Sequence, residues 1–241
     1  NVERFRRGGG SVAPGTPGPP PRPREPELVS FTGMTGFVNT PWAGVMSDRG
    51  LEVGYNHIPK RWAHDHRGTN DNEVYYATLG FLPHVEGALR WTVIPGLRSF
   101  SNIVPESRLV DTDYMASGRL SLLEPRTWRP GVAVGVEDVK GTRRFHSTYA
   151  VAGMPFAIRD FRGRLSIGYA PRVVTASRHT LDGAFGALEV SPWRAVAAQL
   201  EYDTEKWNAA LALPLPFGLR MRGALLHLQS LAFGAGFSHP L

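Results

Sequence analysis

Residues 230–237 read Ser-Leu-Ala-Phe-Gly-Ala-Gly-Phe, and this stretch decides the fold. Strand side chains alternate between two faces. Leu231, Phe233, Ala235 and Phe237 therefore share one face, and Ser230, Ala232, Gly234 and Gly236 share the other. One face is apolar and the other is small and nearly bare. The same two-residue pattern recurs about a dozen times back to Leu51. A spanning helix needs about 20 consecutive apolar residues. The longest apolar stretch, 207–219, is broken by Pro214 and Pro216. Bulky residues on one face and small or charged ones on the other predict an all-β chain: a single antiparallel transmembrane β-barrel, its large side chains facing lipid.

The alternation predicts strands at 51–58, 73–80, 85–94, 112–123, 131–139, 145–153, 162–170, 182–190, 194–202, 206–213, 217–225 and 229–237. The third is the clearest, with Leu89, Trp91 and Val93 opposing Glu86, Ala88, Arg90 and Thr92. About twelve strands is an even number, as single-chain outer-membrane barrels require; ten and fourteen are the alternatives. Every second connection contains proline: 82–84, 125–130, 155–161, 191–193 and 214–216. Proline cannot continue a central strand, so these turns belong on one rim, the periplasmic one, with both termini. The longer segments 59–72, 95–111 and 171–181 belong on the outer rim.

Aromatics cluster near the predicted strand ends. Phe81, Phe156, Phe161, Trp193 and Phe217 fall towards the proline rim, and Trp62, Trp91, Tyr169, Tyr202 and Trp207 towards the other. Two such girdles suit two membrane interfaces. A soluble β-sandwich alternates too, but it would bury bulky residues rather than small and charged ones.

Composition narrows the function classes. The 241 residues contain no Cys, which excludes disulfides, thiolate chemistry and Cys-ligated metals. Lys and Arg exceed Asp and Glu by 27 − 21 = 6. The arginines are strewn along the chain without a basic helix or stripe, so no nucleic-acid partner is expected. Asn1 opens a polar segment with no apolar core, which reads as a processed or incomplete start. Residues 1–30 form a Pro/Gly-rich tail with Gly8-Gly9-Gly10 and Pro19-Pro20-Pro21. Such a tail is expected to be extended polyproline II, a leader or a docking peptide for a periplasmic or envelope partner. Residues 31–50 are a turn-rich lead-in, and 51–241 the barrel.

Within that lead-in stand Gly36-Phe37-Val38-Asn39-Thr40-Pro41, then Ala43, Met46, Gly50-Leu51 and Gly54-Tyr55. Downstream come Phe81 to Glu86, Val132 to Asp138, Glu201-Tyr202-Asp203 and Phe233 to Phe237. In order and spacing these resemble YjbH-type proteins, outer-membrane barrels associated with exopolysaccharide production and export. The resemblance covers about residues 31–241 and marks Gly36, Asn39, Thr40 and Pro41 as its motif. It implies a bacterial outer-membrane location and a porin-like, non-enzymatic role in exopolysaccharide export or surface attachment. Outer-membrane lipid and a polysaccharide are the implied partners. The rival is a structural anchor that docks an envelope complex through the tail.

With the apolar face outward, the lumen-facing polar set is Glu52, Glu86, Arg90, Arg119, Glu137, Arg164, Glu189, Glu201, Arg220 and Arg222. Isolated buried charges are too costly, so these should pair and brace the barrel. The sharper reading is a polar path for a sugar chain. Other constellations are weak. His64-Asp65-His66 sits in a loop and reads as solvated polar surface rather than a metal site. No Gly-x-Ser-x-Gly elbow or phosphate-binding loop is present. No cofactor, metal or catalytic residue is expected.

Overall fold

The computed structural model describes residues 28–59, 71–95, 110–141, 145–173, 180–193 and 196–241. Twelve strands form one closed antiparallel barrel. They are β1 Gly50–Ile58, β2 Asn72–Phe81, β3 Val85–Pro95, β4 Val110–Leu123, β5 Gly131–Gly141, β6 Ser147–Ile158, β7 Phe161–Ala170, β8 Gly183–Trp193, β9 Val196–Tyr202, β10 Trp207–Pro214, β11 Leu219–Leu226 and β12 Ser230–Pro240. Each strand pairs with its sequence neighbour, and β1 closes the ring on β12 from Gly50↔Pro240 to His57↔Phe233.

The short connections after β2, β4, β6, β8 and β10 lie on one rim, with Gly50 and the end of β12. The strand ends that bound the longer ones, after β1, β3 and β7, lie on the other. Three prolines expected in turns are instead inside strands: Pro155 in β6, Pro192 in β8 and Pro214 in β10. Each sits where pairing with one neighbouring strand has ended or is interrupted. Pairing of β6 with β5 stops at Gly153, and the Pro155 carbonyl accepts the Trp128 amide instead. Pro192 falls in the irregularity between Val190 and Trp193. Pro214 lies beyond the last β9–β10 pair, Ala212↔Ala197. A missing N–H on an unpaired side breaks no ladder bond.

Leu89, Leu120, Ile167, Leu211, Leu231 and Phe233 point outward and are exposed. The small residues of β12 point inward: Ala232 is fully buried, and Gly234 and Gly236 are buried beside it. Near the long-loop rim, Tyr55, Tyr75, Trp91 and Tyr114 form an outward ladder across β1 to β4, with successive ring centroids 5.3, 5.7 and 5.9 Å apart. At the proline rim, Phe81, Trp128, Phe161 and Phe217 are exposed. Trp62 and the side chain of Trp193 lie outside the described residues.

Candidate functional site: the plugged barrel interior

The interior is filled by the segment preceding β1. Phe31, Met34, Phe37, Val38, Trp42 and Ala43 are each no more than 2% exposed, although none belongs to a strand. This lead-in is a compact coil that satisfies much of its own backbone. Ser30 N–H donates to Met34 O, Phe31 N–H to Val38 O and Gly36 N–H to Leu28 O, each at 2.8 Å. Buried backbone groups need such partners.

The plug also explains the bare inner face of the strands. Phe31 and Val38 pack on Ala210, Ala224, Leu226 and Ala232. Phe37 and Trp42 meet edge to face, centroids 5.9 Å apart, over Ala187. Ala43 joins Ala133, Tyr149, Val151 and Phe185. A Cβ on Gly153 would run into the Trp42 ring. Close packing forbids both voids and overlap, so small wall residues and bulky plug residues are complementary.

Among the described residues, two interior carboxylates accept backbone amides of the plug. Glu201 on β9 receives three consecutive amides: Val38 N–H at 3.0 Å, Asn39 N–H at 2.8 Å and Thr40 N–H at 3.0 Å. The Thr40 hydroxyl adds a bond of 2.8 Å and the Asn208 side chain one of 3.0 Å. Converging backbone N–H groups form a nest for an anion. The turn is shaped for this. A Cβ on Gly36 would strike the Thr40 carbonyl, and Phe37 N–H closes onto that carbonyl at 2.9 Å. The Asn39 side chain donates to Asp203 at 3.2 Å, and the Pro41 carbonyl accepts from Ser166 Oγ at 3.2 Å. Gly36, Asn39, Thr40 and Pro41 thus form the part of the plug that meets β7 and β9.

Glu86 on β3 is the second latch. It accepts Thr35 N–H at 2.8 Å, the Thr35 hydroxyl, and Met46 N–H at 2.6 Å. Arg119 pairs with it at 2.6 Å, with both side chains wholly buried, and donates to the Trp42 carbonyl at 2.5 Å. Around these latches, Arg164 lies over the Phe37 and Trp42 rings, 5.2 Å from each centroid. Glu189 fixes Arg164 with two bonds of 2.9 and 2.6 Å and takes a third bond, from Gln199. Arg222 lies 4.7 Å over Phe31. Glu52 binds Arg220, Ser238 and the Tyr76 hydroxyl. Arg90 and Glu137 are buried too, and the Thr32 hydroxyl of the plug and the Thr180 hydroxyl neighbour Glu137.

All ten charged positions read from the alternation thus point inward. Most of them are organised around the plug or its supports, and the Glu52–Arg220 pair and Tyr76 line a small interior pocket beside Val29 and Phe37. The charged lumen-facing set did not include Asn56, Thr78, Ser166, Asp203 or Asn208. Asn56 donates to the Phe31 carbonyl at 3.2 Å, and Thr78 donates to the Gly33 carbonyl. Their signal was available, since each is a polar residue at an inward strand position or just past a strand end. His64, Asp65 and His66 lie outside the described residues. Among the described residues no three His, Asp or Glu side chains come together to hold a metal.

A closed twelve-strand barrel, apolar outside and plugged by the segment before its first strand, defines the class of this protein. The YjbH family, described as "Exopolysaccharide biosynthesis protein YbjH", matches residues 29–181, and the chain belongs to that family. It is 26% identical over 225 residues to "Uncharacterized lipoprotein YjbH" of Escherichia coli (strain K12). That match takes in 80% of this chain and spans 30% of the relative's length.

Proposed function

We propose that the protein spans the bacterial outer membrane and serves the export or surface attachment of an exopolysaccharide, with its lumen latched shut by residues 28–46. The observation that carries this is the combination of an outward apolar surface around the barrel with a filled interior. Surface this apolar needs lipid or a partner to cover it. The family description supplies the exopolysaccharide connection, and the lipoprotein relative accords with an envelope location. On this reading the chain performs no catalytic step. Its charged lumen groups position the plug, and a polysaccharide would pass or dock only once the plug yields.

The second reading is an anchor for an envelope complex, docked through residues 1–30. The filled interior favours it, because a standing pore would be open. Reconstitution in a planar bilayer, with insertion checked by heat-modifiable gel mobility, tests the pair. Insertion with no steady conductance, and channel events once the Glu201 latch is removed, supports a gated path. Silence in both forms supports the anchor. Failure to insert removes the membrane reading altogether.

A further inference from the structure

The outward face of β2 to β5 carries a groove of about 490 Å3 towards the long-loop rim. Small-molecule sites span about 300–1,000 Å3. Ala77, Leu89, Ala116 and Lys140 occupy one row across these four strands, each paired with the next. The two alanines make the depression. One step nearer the rim, the Trp91 and Tyr114 rings stack with centroids 5.9 Å apart and planes 6° apart.

The groove is deepened by an irregularity in β5. Gly118 pairs with Val136 and Ala116 with Lys140, so Ser117 faces three residues of β5 instead of one. Asp138 takes a left-handed conformation there, φ 51°. It is held by its N–H on Ser117 Oγ at 3.2 Å and by its carboxylate receiving Phe145 N–H at 3.0 Å. Bulges that re-aim a side chain recur beside functional sites. Here the bulge delivers Lys140 to the outward row beside the aromatics.

Lys140 is exposed, and among the described residues no carboxylate pairs with it. A cation on a lipid-facing surface costs about 2–4 kcal/mol at the bilayer midplane and little near the interface. A lysine stem can lie along apolar surface while its amine reaches head-group level. The row therefore offers an apolar trough under a single cation, which is complementary to a lipid with a negative head group.

We propose that this groove binds one phosphate-bearing anionic membrane lipid, an acyl chain lying over Ala77 and Ala116 and the head-group phosphate on Lys140. This rests on the outer-membrane reading. The test is native mass spectrometry of the barrel released from nanodiscs of phosphatidylglycerol and phosphatidylcholine with matched chains, after heat-modifiable mobility has confirmed insertion. Retained lipid should favour phosphatidylglycerol about five-fold, the ~1 kcal/mol one basic residue near an anionic surface supplies. Lys140→Gln should abolish the preference and Lys140→Arg should keep it. Ala116→Trp should reduce retention of both lipids. An inserted barrel with no preference, or with one unchanged in Lys140→Gln, overturns the site and leaves the membrane reading standing. A barrel that does not insert overturns both.

Discussion

The Glu201 carboxylate accepts both the backbone N–H and the hydroxyl of Thr40, at 3.0 and 2.8 Å, from a residue 161 positions away in sequence. This contact ties the plug to the wall formed by β9, so the barrel cannot release the segment without stripping a buried anion of its donors. Hydrogen bonds to charged groups contribute about 1.5–3 kcal/mol each. Glu201→Gln turns one acceptor into a donor facing amide donors. It should lower stability by about 2–3 kcal/mol, and Thr40→Val by about 1.5 kcal/mol. The double variant should lose less than the sum, because both changes remove one shared bond. The midpoint of the heat-modifiable mobility shift reads these losses. Additive effects would mean that Thr40 and Glu201 do not act as a unit.

Trp42 occupies space that only a residue without a Cβ leaves open at position 153. Gly153→Ala should displace the indole and cost about 1–3 kcal/mol, as overpacking does. Trp42→Ala removes the obstacle, so the added methyl at position 153 should cost less in that background than in the parent. The same thermal measurement in a double-mutant cycle checks this. An equal cost of Gly153→Ala in both backgrounds would place the indole elsewhere.

The barrel was legible because alternation is a local property. Leu231, Phe233 and Phe237 against Ala232, Gly234 and Gly236 needed no partner to be read. The inward charges followed from the same period. The plug was not legible in this way. Phe31, Met34, Phe37 and Trp42 show neither strand nor helix period, since a coil packed inside a barrel obeys the shape of its walls. Its trace in the sequence is indirect: bulky residues among Gly33, Gly36 and Gly44, opposite strands whose inner face is too bare to fill a lumen. The prolines at 155, 192 and 214 misled for a related reason. Whether proline stops a strand depends on whether the neighbouring strand still pairs with it at that point, and the sequence does not state that.

Glu86 and Arg119 are both wholly buried. Removing one partner of such a pair strands the other charge and costs about 3–5 kcal/mol. Arg119→Ala should therefore prevent stable folding or lower its midpoint steeply, because it also orphans the Trp42 carbonyl. Arg220→Ala removes the partner of Glu52 from a site whose arginine keeps some exposure, 12%. Ser238 and Tyr76 still donate to Glu52 there. Its loss should be smaller. Refolding yield and thermal midpoint compare the two, and equal losses would contradict the burial argument.

Ile167 lies in mid-strand on β7 and is 64% exposed, while Val173, just past the end of that strand, is 68% exposed. In water the two positions would tolerate arginine equally, since neither makes a buried contact that the change removes. In a bilayer they differ by depth. Arginine near the midplane costs about 2–4 kcal/mol and near an interface about 0–1 kcal/mol. Ile167→Arg should therefore impair refolding into phospholipid vesicles, and Val173→Arg should not. Both variants should show the same secondary structure in detergent, where head groups and water reach the whole belt. Refolding of both variants with equal efficiency would mean that this outward surface does not meet lipid.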